Sequence, residues 1–167
     1  MAEKELILRE KMDHSGLFNF SDIYTYLYRY LVEEGNFIVK EEKYSEKVSG
    51  AAREITVEWV ASKPLGDYYA IEFKIKFELT GVTDVEAEID GKKQKMNKGK
   101  IAVDLKGFLI IDPLSKWDPT PTLKFLREVY NKYIIPQRNK DTKMLVVLAV
   151  TGFKENLKSI LELTGKR

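Results

Sequence analysis

The chain has 167 residues, which suits a single domain over 1–167 that buries a core without disulfides or metal ions. Lys and Arg total 28 while Asp and Glu total 26, so no strong net charge would draw the chain onto nucleic acid or an anionic membrane. Cysteine is absent, which excludes disulfides, thiol catalysis and thiolate metal sites and is typical of a reducing compartment. The charged N-terminus lacks the apolar core of a signal peptide, and the longest apolar run, Met144 to Val150, is too short to cross a bilayer. We therefore expect a cytoplasmic protein with no transmembrane segment.

The first part of the chain predicts a strand, a turn and a helix. Alternating apolar and polar side chains predict a strand over Glu5–Met12, and the residues of Asp13–Gly16 predict a turn after it. The segment Ser21–Glu34 carries a helical stripe and also a run of alternating tyrosines. Its length, its first serine and the stop signal at Gly35 favour a helix, with a strand as the alternative. The segment Asn36–Tyr44 then has an extended pattern.

The middle of the chain, from Ala52 to Asp112, has the pattern of consecutive antiparallel strands. Its clearest piece is Tyr68–Thr80, where apolar and polar residues alternate, so one face of this long strand is buried and the other is wet. The segment Pro64–Asp67 predicts the turn before this strand, and Gly81 predicts its end.

A second tight turn is predicted at Asp90-Gly91. This dipeptide between two strand patterns is typical of a two-residue hairpin turn. The pairs that follow from such a turn are Glu88 with Lys93, Glu86 with Lys95, and Val85 with Met96. The turn and the side-chain pairs agree, because this register matches opposite charges and joins apolar residues.

A last strand and two helices complete the chain. Lys98-Gly99 predicts a turn, and a strand over Lys100–Asp112 follows, in which Gly107 predicts a bulge or bend. After a proline-rich connection, helical spacing predicts a helix over Thr122–Ile135 and another from Asp141 or Thr142 to about Leu163. The elements together predict an α+β fold: a curved antiparallel sheet of about five to seven strands, with an N-terminal helix and two C-terminal helices packed on one face.

The single histidine, His14, lies beside Asp13 and Ser15, which are the residue types of a hydrolytic triad. Sequence neighbours cannot aim their side chains along one line, so a polar turn is the better interpretation. One histidine without cysteine also argues against a zinc site. No catalytic residue and no metal ligand is assigned.

The acidic and the basic residues of the predicted hairpin can each be interpreted either as a binding site or as an ordinary solvated surface. Asp84, Glu86 and Glu88 could bind a hard cation, but the opposing Lys93 and Lys95 favour a solvated, ion-paired face. The densest basic patch consists of Lys92, Lys93, Lys95, Lys98 and Lys100. It lacks the arginines and exposed aromatics that nucleic-acid binders usually add, which argues against a nucleic-acid partner.

Trp117 lies in the proline-rich connection, where it could anchor a partner or close a pocket, although plugging one end of the core is the simpler interpretation.

The order of elements resembles the START-like helix-grip superfamily: a strand at Leu6–Leu8, a helix at Ser21–Glu34, a meander through Ile111 and a helix from Thr142. The resemblance rests on this order and on no sequence motif. The chain departs from it by having one helix instead of two after the first strand, and an added helix before the last.

The resemblance implies an apolar ligand held between the sheet and the C-terminal helix. We therefore predict a non-catalytic carrier or sensor of an apolar small molecule, with no cofactor. The residues predicted to line its pocket are Trp59, Phe73, Phe77, Phe108 and Phe153. The alternative is a structural or adaptor protein that binds another protein, or a second copy of itself as a homodimer, through an aromatic surface. An enzyme acting through scattered carboxylates and tyrosines is the third hypothesis.

Overall fold

Five strands and three α-helices follow one another in a computed structural model that describes residues 3–66, 68–89, 91–111, 121–129 and 136–165. The elements in chain order are β1 (Glu3–Phe18), α1 (Phe20–Arg29), a π-helical turn (Tyr30–Glu34), β2 (Ile38–Ser49), β3 (Ala52–Pro64), β4 (Tyr69–Ile89), β5 (Lys92–Ile111), α2 (Pro121–Val129) and α3 (Pro136–Gly165). The predicted α+β class is confirmed. The proline-rich connection and its Trp117 lie outside the described residues.

The five strands form one open sheet in the order β1-β5-β4-β3-β2, and all neighbours are antiparallel. The strands β1 and β2 are therefore the edges of the sheet. The hairpin between β4 and β5 has the predicted register. The pairs observed there are Val85 with Met96, Glu86 with Lys95, and Glu88 with Lys93.

Two predicted turns and one predicted strand end are wrong, because the strands run through them. β1 continues through Asp13–Gly16, β4 continues through Gly81, and β5 continues through Lys98 and Gly99. The strands are longer than the sequence pattern predicts, so the sheet has the smallest of the expected strand numbers.

Glycines lie at two of these places, Gly81 in β4 and Gly99 in β5. The pairing of β4 with β5 shifts between Thr80 and Thr83, and Gly81 inside this bulge has φ +60°, a conformation that favours glycine. A Cβ on Gly99 would lie 2.9 Å from the carbonyl oxygen of Gly81, so the two backbones are too close for a side chain between them. Gly16 of β1 pairs with Gly99. Three adjacent strands therefore carry glycine at one level of the sheet.

One face of the sheet forms the core together with α1 and α3. The fully buried side chains include Ile23, Leu27 and Leu31 from the first helical segment, Val57, Trp59, Phe73, Ile75, Phe77 and Leu109 from the strands, and Val146, Val150 and Phe153 from α3. The helix arrangement differs in detail from the prediction. α1 and α3 pack on this face, whereas in α2 Phe125 and Leu126 are 63% and 46% exposed, so the core does not cover them.

The helix boundaries differ in detail from the predictions. α1 and the π-helical turn confirm the first helix over the strand alternative, but the left-handed residue after it is Asn36, with φ 57°, while Gly35 stays right-handed. α2 covers the first part of its predicted range, whose residues 130–135 lie outside the described ones. α3 begins at Pro136, earlier than expected. None of the helices that the structure describes is long and apolar enough to cross a membrane.

Gly107 allows α3 to lie directly on the sheet. A Cβ at this position would lie 2.4 Å from Cγ2 of Val150 and 3.1 Å from Cγ1 of Val146. The bulge predicted near Gly107 is found in the neighbouring strand, where the pairing of β1 with β5 shifts between Leu6 and Leu8. The absent side chain at Gly107 therefore sets how closely α3 approaches β5.

The substitution Gly107→Ala should destabilise the protein by about 1–3 kcal/mol, because the added methyl group overpacks the contact with α3. The double variant Gly107→Ala/Val150→Ala should lose less than the sum of the two single losses, because Val150→Ala removes the clashing methyl group. Urea unfolding of the four proteins measures both effects. Additive losses would show that α3 does not meet the sheet at Gly107.

Candidate functional site

α1 is fixed to the sheet by hydrogen bonds at its first residues. The side chain of Asn19 caps the helix, because its Oδ1 accepts a hydrogen bond of 3.2 Å from the backbone N–H of Asp22. The backbone N–H of Phe20 donates a hydrogen bond of 3.0 Å to Oδ1 of Asn97 in β5. The start of α1 is thereby held at one position on β5.

Arg53 joins three strands beside the start of α1. Its Nη1 donates to Glu46 of β2 at 3.1 Å, and its Nη2 donates to Asp84 of β4 at 2.6 Å. Asn97 of β5 also donates to Asp84, at 3.0 Å. Both ends of the Arg53 guanidinium are therefore occupied by carboxylates, and the same network holds the start of α1.

Tyr24 connects the middle of α1 to β2 and to the core. Its hydroxyl donates a hydrogen bond to Glu41 of β2, and its ring packs edge-on against Trp59 with 4.9 Å between centroids. Trp59 in turn packs against Phe77 at 5.0 Å and Tyr28 at 5.9 Å. Tyr24 therefore determines the spacing between α1 and the edge strand.

The environment of the Tyr24 hydroxyl favours its protonated form. Burial, together with the hydrogen bond to Glu41 and the charge of that carboxylate, raises the pKa of Tyr24 to about 12. The indole N–H of Trp59 has a smaller, opposite effect and lowers this pKa. The N–H is itself buried, and among the described residues no acceptor meets the geometry of a hydrogen bond to it. The phenol therefore stays a donor to Glu41 at neutral pH.

Two adjoining clefts follow the side of α1 that faces β2. Their volumes are about 360 Å³ and about 290 Å³, and both are lined by Tyr24 and Thr25. We call the two clefts together the α1–β2 groove, whose walls include Phe20, Tyr24, Thr25, Tyr28, Tyr44 and Ile55. Tyr28 is 42% exposed and Tyr44 is 52% exposed. The groove thus offers aromatic rings with hydroxyl groups to solvent, a surface suited to recognition.

β2 adds an unpaired strand edge to the groove. The strand has 12 residues, and all of them except Val39 and Ser45 are exposed. It pairs with β3 on one side only, so the backbone groups on its other side have no strand neighbour in the described sheet. Tyr44 and Val48 face the groove side of this edge, opposite Val57 and Arg53 of β3.

Four of the five residues predicted to line a pocket lie in the core, and the fifth lies apart from them. Trp59, Phe73, Phe77 and Phe153 are at most 1% exposed and are packed in the core. Phe108 lies on the opposite face of the sheet, where the ammonium groups of Lys4 and Lys74 are 4.4 Å and 5.6 Å from its ring centroid. The described gap between α3 and the strands β1 and β5 has a volume of about 10 Å³, which is about the space of one water molecule. A ligand-binding role of the five residues stays a prediction.

The other candidate groups do not line the groove. His14 is part of β1, where its Nε2 is 3.3 Å from the carbonyl oxygen of Leu17, and its neighbours Asp13 and Ser15 point to the other face of the strand. Among the described residues no group of three or more His, Asp or Glu side chains is arranged to hold a metal ion. The predicted basic patch is exposed at Lys92, Lys93, Lys95, Lys98 and Lys100.

Sequence reasoning missed the polar residues that build the groove. Glu41, Arg53 and Asn97 stand in strand patterns where charged and polar residues are ordinary, so no signal marked them. Tyr44 had a signal, because it is a lone aromatic residue in the charged segment that forms β2. A strand made mostly of lysines and glutamates does not line the core, so an aromatic side chain on it is expected to be exposed.

Comparisons with known proteins found no match: no family model, no curated protein and no solved structure resembles this chain significantly. The resemblance to the START-like superfamily therefore stays a prediction, and the function must be argued from the groove itself.

The substitution Tyr24→Phe should flatten the loss of stability at alkaline pH. Because folding raises the pKa of Tyr24 above its ordinary value of about 10, the protonated phenol stabilises the fold fully below about pH 10, and this contribution is lost as the pH rises to about 12. The free energy of unfolding of the unsubstituted protein should therefore fall more steeply over this interval than that of Tyr24→Phe. Urea unfolding at several pH values measures the difference, and equal slopes would contradict it.

Proposed function

We propose that this protein is a non-catalytic binding module that recognises another polypeptide chain through the α1–β2 groove. The observation that carries the proposal is the exposure of Tyr28 and Tyr44 beside the unpaired edge of β2. Tyrosine is enriched at protein interfaces, because it combines a large apolar ring with a polar tip and little conformational freedom to lose.

An extended segment suits this surface better than a globular one. An extended chain can pair its backbone with the edge of β2 while alternate side chains enter the groove, a recurring mode of peptide recognition. The groove is held open in a defined shape by the hydrogen bond from Tyr24 to Glu41 and by the Arg53 network. A preformed site of this kind loses little entropy on binding.

A carrier of an apolar small molecule is the second candidate. The observation that favours it is the larger cleft of the groove, whose volume of about 360 Å³ falls in the range of small-molecule sites. Its lining mixes Phe20 and Ile55 with Tyr24 and Asn97, so it could hold an apolar molecule with a polar end. In such a carrier the small molecule would lie beside α1 and not between the sheet and α3.

The proposal is tested by placing a photo-crosslinking amino acid at Tyr44 and, as a matched control, at Lys74. Lys74 is an exposed residue of β4 on the face of the sheet opposite the groove. Illumination in the source cells should attach a polypeptide at position 44 and not at 74, and Tyr28→Ala should lower the yield at 44 several-fold by removing one wall of the groove.

Equal yields at positions 44 and 74 would overturn the polypeptide proposal. Native mass spectrometry of freshly purified protein then separates the two candidates. A discrete bound mass below that of a peptide, absent from a Tyr44→Ala/Ile55→Ala variant that still folds, would favour the small-molecule carrier.

A further inference from the structure

We propose that two copies of this protein pair along their β1 strands, antiparallel and centred on Met12, so that their two sheets become one continuous sheet. This interface lies at the edge of the sheet opposite β2 and goes beyond the proposed function. A two-fold axis beside Met12 makes the contact self-complementary, so the assembly closes as a dimer. The α1–β2 groove of each copy stays open at the two ends of the joined sheet.

The unpaired side of β1 contains one regular segment. β1 pairs with β5 on one side, and the described sheet has no strand on its other side. The pairing with β5 shifts between Leu6 and Leu8 and is regular from Leu8 onwards. At the other end Gly16 has φ +124°, which departs from the ordinary strand conformation. We call residues 8–16 the free edge of β1, and the central residue of this free edge is Met12.

On the face of the sheet away from the helices, the free edge carries charges that complement an antiparallel copy. Met12 pairs with the buried Val103, so Lys11 and Asp13 beside it point to the other face. In a pair centred on Met12, Lys11 of each copy lies opposite Asp13 of the other. Both residues are exposed, and neither forms an ion pair in the described part of the chain. The dimer therefore gains two pairs of opposite charge on adjacent strands.

On the face that carries the helices, the free edge has apolar side chains with surface left to bury. Leu8 and Met12 are half-buried and pack against the core from the edge of the sheet. In the dimer Met12 lies beside its own copy, and Leu8 lies opposite Gly16. A Cβ at Gly16 would have no atom within 4 Å, so the space beside it is open to Leu8 of the second copy. Burial of these side chains adds a hydrophobic part to the contact.

The charged residues closest to these apolar side chains are compensated within each copy. Lys143 and Lys154 of α3 reach over β1 and form ion pairs of 3.2 Å and 3.0 Å with Glu5 and Glu10. In the proposed register Glu10 lies opposite His14, which brings no second negative charge. Neither these two lysines nor the glutamates oppose the approach of a second copy as unpaired charges.

Neighbouring registers bring like charges together. Directly opposed residues have to lie on the same face of the joined sheet, so the two-fold axis passes beside one residue and not between two. An axis at position 9, 10, 11 or 13 would place Arg9, Glu10, Lys11 or Asp13 opposite its own copy. Like charges directly opposite each other destabilise strand pairing. The axis at Met12 opposes two uncharged side chains and coincides with the centre of the free edge.

The first test reverses one charge at a time. Lys11→Glu and Asp13→Lys each place like charges opposite one another at two points of the dimer. Sedimentation velocity over a concentration series should show a dimer for the unsubstituted protein and a dimer at least about tenfold weaker for each variant. The matched control is Lys47→Glu, which changes an exposed lysine on the same face of the other edge strand and should leave the dimer unchanged.

Mixing the two variants is the decisive step. In a mixed dimer of Lys11→Glu with Asp13→Lys, the four side chains at positions 11 and 13 again form two pairs of opposite charge. The mixture should therefore form a dimer at concentrations where each variant alone is monomeric. The double variant Lys11→Glu/Asp13→Lys should likewise keep the original affinity. Misfolding of either single variant could not produce this rescue.

An introduced cysteine tests the register, since the chain contains none of its own. Met12→Cys places two thiols opposite each other with about 4.5–5.5 Å between their Cβ atoms, close enough for a disulfide after a small shift. Mild oxidation should therefore link most of the protein into covalent dimers. Ser15→Cys is the matched control, because residue 15 is exposed but the two thiols would lie about 20 Å apart. It should give few linked dimers.

Four results would overturn the inference: a monomer at all concentrations, a dimer that neither charge reversal weakens, variants that do not rescue each other, or equal linking at positions 12 and 15. A dimer that Lys47→Glu weakens as strongly as Lys11→Glu would also overturn it. All of these results leave the proposed function untouched, because the groove lies at the other edge of the sheet.

Discussion

The close approach of α3 to the sheet at Gly107 constrains where everything else can lie. With a side chain at that position, Val146 and Val150 would be pushed away from β5. With none, α3 lies over β1 and β5 and leaves the other strands to α1. A single short helix cannot cover three strands, so the outermost strand, β2, remains exposed along most of its length. The exposed groove therefore follows from the position of the long helix on the same face of the sheet, over the edge opposite to β2.

α1 is held between two neighbours that fix its lateral position. On the α3 side, Tyr26 donates a hydrogen bond of 2.8 Å to Asn156, and the hydroxyl oxygen of Tyr30 would lie 3.1 Å from a Cβ on Gly152. On the β2 side, Tyr24 donates to Glu41. Tyrosines on opposite sides of one helix therefore attach it to α3 and to the edge strand. Burial of the tyrosine rings does not require these hydroxyl groups. Their hydrogen bonds hold α1 at a fixed distance from α3 and from β2, and so keep the groove open.

Local sequence periodicity predicted the strand faces, the first helix and the hairpin register, because each of these depends on residues close together in the chain. The glycines show the limit of predictions from local sequence periodicity. Gly81 and Gly99 look like strand ends in the sequence, yet each strand continues because its neighbour supplies pairing on both sides of the glycine. The groove was harder still to predict. Its polar residues, such as Arg53 and Asn97, come from different strands and acquire their roles only when the sheet brings them together.

The open sheet leaves β2 as an exposed edge to which other chains could pair, and the charged side chains of β2 limit such pairing. A 12-residue edge bearing Tyr44 and Val48 would pair readily with any extended chain if its other side chains were neutral. Three exposed lysines, three exposed glutamates and a shift in the pairing with β3 between Glu41 and Lys43 make such pairing unfavourable for most sequences. Protection of this kind is selective, since a strand can pair here only if its own charges lie opposite charges of the other sign. The alternating charges that prevent indiscriminate aggregation are therefore also the charges that select a partner.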